Sequence, residues 1–395
     1  MTKIMLALLG VCLSTVTVAA DLNKAVEANN QFGADLYQAI RKSENNKASN
    51  RFISPTSAYL ALSLLANGAR NETEKAILST LRATQLTREE LNSANRGLIK
   101  ALVKPSKEKN AVELAIANSV WTDKSFRLRD RFISDVKESY GSEARELDFK
   151  SPEAAKTIND WVLDKTSGKI KDFIKSTDGA SMYLVNATYF RGPWTNPFSP
   201  KLTQPGRFYT SATEVKEVPM MRNSFIGAYA KTDDYEVVQM NYGAYESRLL
   251  LVLPKGDIAT LESKVNSSFL AELSDKLAKP GSSHQIDLKL PRFKFEYESD
   301  LAQPLVNLGM EIAFGPLADF FDMAAGQVAV SKAFQKTFLA MDEVGTEAAA
   351  ATGIGMVTSV PMVPKASIEF NRPFFTVIQD TKTQAILFLG SVVNP

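Results

Sequence analysis

The sequence predicts a single α+β domain. Three observations carry that prediction: helical periodicity dominates the early part of the chain, strand-forming runs dominate the later part, and no fixed-period repeat or linker separates them. With 395 residues, 45% of them hydrophobic and 23% charged, the chain can bury a large core.

The elements follow in chain order. Phe32, Leu36 and Ile40 recur every fourth residue and mark one buried face of a helix over residues 24–42. Ser54-Pro55 supplies an N-cap and a first-turn proline for a second helix, apolar nearly all round from Ala58 to Ala66 and stopped at Gly68. Asn71 followed by Glu74 resembles a capping box opening a third helix that runs to about Leu81. Val112 to Trp121 is strand-compatible, and Phe132 to Tyr140 returns to helical spacing. Met182 to Phe190 is an almost unbroken β-forming run of the kind buried in mid-sheet, with Asn186 as its one anomaly. Arg248–Leu253, Ile286–Leu290 and Ile386–Val393 are further strands.

Residues 1–20 read as a secretory signal: Lys3 at the start, an uncharged apolar run from Ile4 to Val18, and a small-residue exit at Ala19-Ala20. The run is shorter than the ~20 residues that span a bilayer, so export without a membrane anchor is expected, with a single domain over residues 21–395. The only cysteine, Cys12, lies inside the signal; the exported chain would hold neither disulfides nor thiol chemistry, which suits a bacterial secreted or periplasmic protein. A net charge of +2 gives no field to recruit nucleic acid or an acidic membrane. Lys100, Lys104, Lys107 and Lys109 read as solvated surface.

The chemistry of an enzyme is poorly supplied. The single histidine, His284, sits in a Gly/Ser-rich stretch that reads as an exposed loop, and no Gly-x-Ser-x-Gly elbow offers a nucleophile for it. One histidine without exported cysteines cannot build a usual zinc or iron site. No glycine-rich phosphate loop appears, and Gly353-Ile354-Gly355 is only a fragment of one. No metal, cofactor or catalytic residue is expected.

The segment from Glu343 to Pro364 is long, low in charge and built largely from small residues. Loops of more than ~15 residues without regular structure are uncommon and are usually functional or disordered. A plain linker would not bring Ile354, Met356, Val357, Val360, Met362 and Val363 into solvent together, so the segment reads as bait for a partner. Thr346, Ala348, Ala350 and Thr352 share one side of a strand at period two, and side chains that small can enter a crowded sheet.

At these residues the chain resembles the serpins, over almost its whole exported length. Phe52-Ile53-Ser54-Pro55 with Ser57, Asn67-Gly68-Ala69-Arg70, Thr166-Ser167-Gly168-Lys169-Ile170, Asn186 with Tyr189-Phe190-Arg191-Gly192 and Trp194, Leu290-Pro291-Arg292-Phe293, Phe370-Asn371-Arg372-Pro373-Phe374 and Leu387-Phe388-Leu389-Gly390 are similar to family motifs in family order. The resemblance implies three β-sheets, eight or nine helices and a reactive loop over about 343–365.

It also implies a function: a monomeric suicide inhibitor whose loop, once cut, inserts into the central sheet and carries an acylated protease with it. Glu343, Gly345, Thr346, Glu347 and the alanines 348–351 resemble the hinge of inhibitory members. Trp194, Arg292 and Glu343 resemble the breach, where an Arg292–Glu343 ion pair is expected. Ser54, Ser57, Asn186 and Gln335 resemble the polar shutter, with Gln335 where many members have histidine. Family spacing from Gly345 places the cut at Ser359–Val360, with Met356–Val357 and Met362–Val363 left open. The absence of Lys and Arg from Val344 to Pro364 points to elastase-, subtilisin- or chymotrypsin-like targets, with papain-like cysteine proteases as a second class. The alternative is a non-inhibitory serpin acting as carrier or chaperone.

Overall fold

The run from Met182 to Phe190 is buried at every position, and the structure is organised around it. The structure is a computed structural model that describes residues 2–45, 47–103, 111–346 and 363–395, with side chains from residue 20 onward. The early part of the chain contributes helix α1 (Thr2–Ser43), strand β1 (Arg51–Ile53), helices α2 (Pro55–Ala66), α3 (Asn71–Thr80) and α4 (Arg88–Leu102), and strand β2 (Glu113–Asp123). Helix α5 (Asp130–Tyr140), strand β3 (Glu143–Leu147), helix α6 (Pro152–Lys165) and strand β4 (Met182–Pro193) follow. Strands then dominate: β5 (Gln204–Tyr209), β6 (Val215–Lys231), β7 (Tyr235–Tyr242) and β8 (Ser247–Pro254), interrupted by helices α7 (Ile258–Ser263) and α8 (Ser267–Ala278). The remaining strands are β9 (Ser283–Pro291), β10 (Phe293–Asp300), β11 (Lys332–Met341), β12 (Gly345–Thr346), β13 (Lys365–Glu369), β14 (Phe374–Asp380) and β15 (Ile386–Val392).

The central sheet has the order β10-β11-β12-β4-β2-β3, and β11 also pairs directly with β4 in parallel below β12. The other strands run β1-β15-β14-β8-β7-β6-β9-β13, with β5 on β6. Two of the three expected sheets are therefore joined: Tyr229–Lys231 at the end of β6 pairs with β7, whereas Met220–Ala228 pairs with β9.

Helix α2 lies between the sheets. Ser54 caps it by accepting from Ser57 N, Pro55 takes the first turn, and every residue from Pro55 to Ala66 is buried, as an apolar all-round helix requires. Phe52 stacks on Phe388 at 5.0 Å beside it. Helix α6 covers the other face of the central sheet, where Trp161 meets Trp121 edge-on at 5.9 Å in a second core with Tyr183 and Val185. Among the described residues, no helix is long and apolar enough to cross a membrane.

Two local expectations are corrected. Arg70, rather than Asn71, precedes helix α3, and no side chain caps it. Asn71 gives its amide to Asp319 at 2.8 Å, and Glu74 is held by Arg88 at 2.7 Å, so long-range partners have taken both halves of the expected box. His284 is not in a loop: it lies in β9, partly buried, with its ring 5.1 Å from that of Tyr229 and Nδ1 at 2.8 Å from the Ser282 carbonyl.

Candidate functional site: the seam of the central sheet

Along its lower part the seam between β4 and β11 is closed by direct pairing, from Tyr183 with Lys332 to Thr188 with Thr337. At the top, β12 is wedged between the same two strands, antiparallel to both: Gly345 pairs with Pro193, and Thr346 with Gly192 and Met341. Only glycine fits at 345, because a Cβ there would collide with the Gly192 carbonyl. The turn into β12 is made by Asp342, whose Oδ1 accepts from Val344 N at 2.8 Å and Gly345 N at 3.1 Å.

Trp194, at the end of β4, fastens this turn. Its backbone N donates to Val344 O at 2.8 Å and its indole to Asp342 O at 2.9 Å. Its ring stacks on Tyr242 at 4.5 Å, and the Tyr242 hydroxyl lies 2.7 Å from the Thr346 hydroxyl. Burial pushes the Tyr242 phenol far above its ordinary pKa, and the bond to Thr346 only partly opposes that rise. Arg292 Nη1 stands 3.6 Å from Glu343 Oε1; the arginine side chain is 50% exposed and the glutamate 9%. Thr203 also donates to that oxygen at 2.7 Å. The pair is thus a solvated arginine facing a carboxylate that has a second, neutral partner.

Under the closed seam lies a buried polar cluster. Gln335 donates from Nε2 to Ser54 O at 2.9 Å and to Asn186 Oδ1 at 2.6 Å, and its Oε1 accepts from Ser54 N at 2.9 Å. Asn186 in turn donates to Ser57 Oγ and to Asn118 Oδ1, and Asn118 Nδ2 donates to Ser57 O at 3.2 Å. The cluster ties α2 to three strands of the central sheet through neutral groups alone, and every amide in it has a partner.

Of the residues singled out from the sequence, Trp194, Arg292, Glu343, Gly345 and Thr346 meet at the top of the seam, and Ser54, Ser57, Asn186 and Gln335 meet beneath it. Glu347, Ala348, Ala349, Ala350, Ala351, Met356, Val357, Ser359, Val360 and Met362 lie outside the described residues. Val363 is half-buried just before β13, where Pro364 O accepts from Gln285 N at 2.9 Å and β13 pairs in parallel with β9. Sequence reading missed Asn118, Asp342, Thr203 and Tyr242. Asn118 carried a usable signal, a lone amide in the β-forming run Leu114–Trp121, as Asn186 is in its own run. Tyr242 carried none.

Among the described residues no group of His, Cys, Asp and Glu could hold a metal ion, and the His284 ring packs against Tyr229. What the arrangement offers is a sheet with a strand begun at one end of a closed seam.

The comparisons with known proteins agree in direction. The family profile described as Serpin (serine protease inhibitor) matches residues 27–395. Serpin A3-1 of Bos taurus is 32% identical over 97% of this chain and 94% of its own length. Human thyroxine-binding globulin, solved in complex with thyroxine, superposes with a TM-score of 0.85 at 31% identity, covering 95% of this chain and 99% of that one. Human kallistatin superposes with the same score at 28% identity and the same coverage.

Proposed function

The chain belongs to the serpin family, and from that premise we propose that it is an irreversible, single-use inhibitor of serine proteases. The observation that carries the proposal is β12, two residues already bonded to β4 and β11 in the register an inserted strand would follow. Continued downward, that register sets Ala348 opposite Leu339, Ala350 opposite Thr188 and Thr337, and Thr352 opposite Asn186 and Gln335. These side chains share the face of Thr346, whose hydroxyl is buried against Tyr242, and they are small enough for the space between sheet and α2. Insertion past Thr352 has to part Gln335 from Asn186, which makes the neutral cluster the shutter of the seam.

Each inserted residue gains ladder bonds on both sides at ~1 kcal/mol apiece, more than the direct rungs between β4 and β11 that have to part, so a full strand gains on the order of 10 kcal/mol net. β4 begins at Met182, at the lower end of the seam, which the register sets opposite Met356. At ~3.4 Å per residue that is a travel of about 34 Å along the strand, and roughly 50 Å for the whole loop. A protease acylated at Ser359 would be drawn past the far end of the sheet, and distortion of its active site there leaves the acyl bond unhydrolysed. Met356–Val357 and Met362–Val363 are the competing bonds.

The absence of basic residues from Val344 to Pro364 favours elastase-, subtilisin- or chymotrypsin-like proteases, with papain-like cysteine proteases second. Arg292, Glu343 and Trp194 act as the breach. Export through residues 1–20 and action as a monomer complete the reading. The test is to nick the loop with a protease that is not trapped and compare melting. The cut protein is expected to melt at least about 10 °C higher, at ~0.8 kcal/mol/K for a chain of this length; an unchanged or lower melt contradicts insertion.

A second reading, a carrier that traps nothing, is favoured by one cavity. It has a volume of about 580 Å³ and lies between α1, α8 and the turn joining β14 to β15, lined by Val26, Leu270, Ser274, Gln379 and Gln384 among others. The Arg248 guanidinium donates to three of its lining side chains, Gln379, Gln384 and Ser274, all neutral. Burial lowers the pKa of Arg248, which has no carboxylate partner among the described residues. Thyroxine-binding globulin shows that a protein of this fold can be solved with a small ligand bound. Saturable binding of small carboxylates, combined with no trapping of any protease, would favour this reading.

A further inference from the structure

We propose that Tyr242 is a positioning residue for the reactive loop: its hydroxyl holds Thr346 in the seam before cleavage, so that insertion starts from a rung already formed. The inference rests on the trap reading above. Thr346 and Tyr242 are both buried, their hydroxyls lie 2.7 Å apart, and among the described residues each is the other's only side-chain hydrogen-bond partner. Their contact adds a side-chain bond to the backbone pairing of Gly345 and Thr346 with β4 and β11.

The ring of Tyr242 is itself fixed. It stacks on Trp194 at 4.5 Å, meets Phe190 edge-on at 5.1 Å, and lies so close over Gly192 that a Cβ there would come within 2.7 Å of it. The hydroxyl is therefore presented by an immobile support at the C-terminal end of β7, a strand of the other sheet.

The register of Thr346 against Gly192 is the one a fully inserted strand would keep, so the bond need not break when the loop moves. Starting an added strand from a detached segment costs loop-closure entropy before any rung forms; starting from a held one does not. After acylation, insertion competes with hydrolysis of the acyl bond. A hinge that leaves the seam part of the time gives hydrolysis more of the outcomes.

The experiment measures the moles of inhibitor consumed per mole of protease inactivated, using the full chain and whichever elastase-, subtilisin- or chymotrypsin-like protease the wild type traps. Tyr242→Phe and Thr346→Val are each expected to raise the excess of that number over one, which is the ratio of hydrolysis to insertion, about fivefold, equivalent to ~1 kcal/mol. The double variant should rise no further than either single one, because both remove one bond. Thr346→Ser, which keeps the hydroxyl, should behave as wild type; a merely structural role would not separate serine from valine in this ratio. If the wild type traps nothing, the trap reading has failed. If it traps and the phenylalanine and valine variants match its stoichiometry, or if serine fails as valine does, the role of Tyr242 is overturned.

Discussion

Replacing Gln335 by alanine tests the shutter where its geometry is most explicit. The amide makes three hydrogen bonds, accepting from Ser54 N and donating to Ser54 O and Asn186 Oδ1. In Gln335→Ala the Ser54 carbonyl keeps its bond from Ala58 N at 3.1 Å, but Ser54 N and Asn186 Oδ1 lose their partners inside a region where all four residues are buried. Each stranded group costs ~1–3 kcal/mol, so the variant should lose about 4 kcal/mol. For a chain of this length ΔS of unfolding is ~0.8 kcal/mol/K, which converts the loss to a melting temperature lower by about 5 °C. Scanning calorimetry on the uncut protein reads this directly. The same substitution in the loop-cleaved protein should cost less, because an inserted Thr352 would already have parted Gln335 from Asn186. A drop of less than about 1 °C in the uncut protein, or an equal drop in both forms, refutes the reasoning.

Three further outcomes follow from the same structure. Gln335→His should introduce acid sensitivity: a buried imidazole has its pKa depressed below the ~6.5 of the unfolded chain, so the unfolded state binds the extra proton and stability falls as pH drops below ~6.5. Melts of variant minus wild type from pH 8 to pH 5 read this, and a difference flat across that range contradicts it. Arg292→Ala should cost at most ~1 kcal/mol, because the guanidinium is half in solvent and Glu343 keeps Thr203; a loss above about 2 kcal/mol by denaturant titration would show the pair to be stronger than its geometry allows. Glu262→Ala should cost ~3–5 kcal/mol, since Glu262 is fully buried, accepts from Tyr37 at 2.6 Å and pairs with buried Arg51 at 3.2 Å. A neutral effect would mean that Glu44, 2.6 Å from Arg51, satisfies that cation alone.

The parts of the fold readable in the sequence are those whose environment is uniform along the chain. Met182–Phe190 is buried on both faces and so reads as a continuous apolar run, and α2 is buried all round and reads likewise. Features set by distant partners were not readable in that way. Asn71 and Glu74 look like a cap until Asp319 and Arg88 claim them, and the polar neighbours of His284 hide its place in a strand. Nothing in the seventeen residues of β6 announces that two sheets share them. At the seam, the threonine of β12 was legible because small residues at period two stand out in a long loop, and its glycine through the resemblance to the serpin hinge. Tyr242 was not, because its role comes from ending β7 beside Trp194 in space, some fifty positions away in the chain.

Mixing the purified protein with elastase, subtilisin and chymotrypsin, followed by denaturing electrophoresis and mass spectrometry of the released C-terminal peptide, shows whether the chain is a trap. A trap forms a denaturant-stable covalent complex with at least one of them and releases a peptide beginning at Val360; a start at Val357 or Val363 keeps the trap and moves its bond. If every protease cuts the loop, stays active and forms no complex, the chain is not a trap for these proteases.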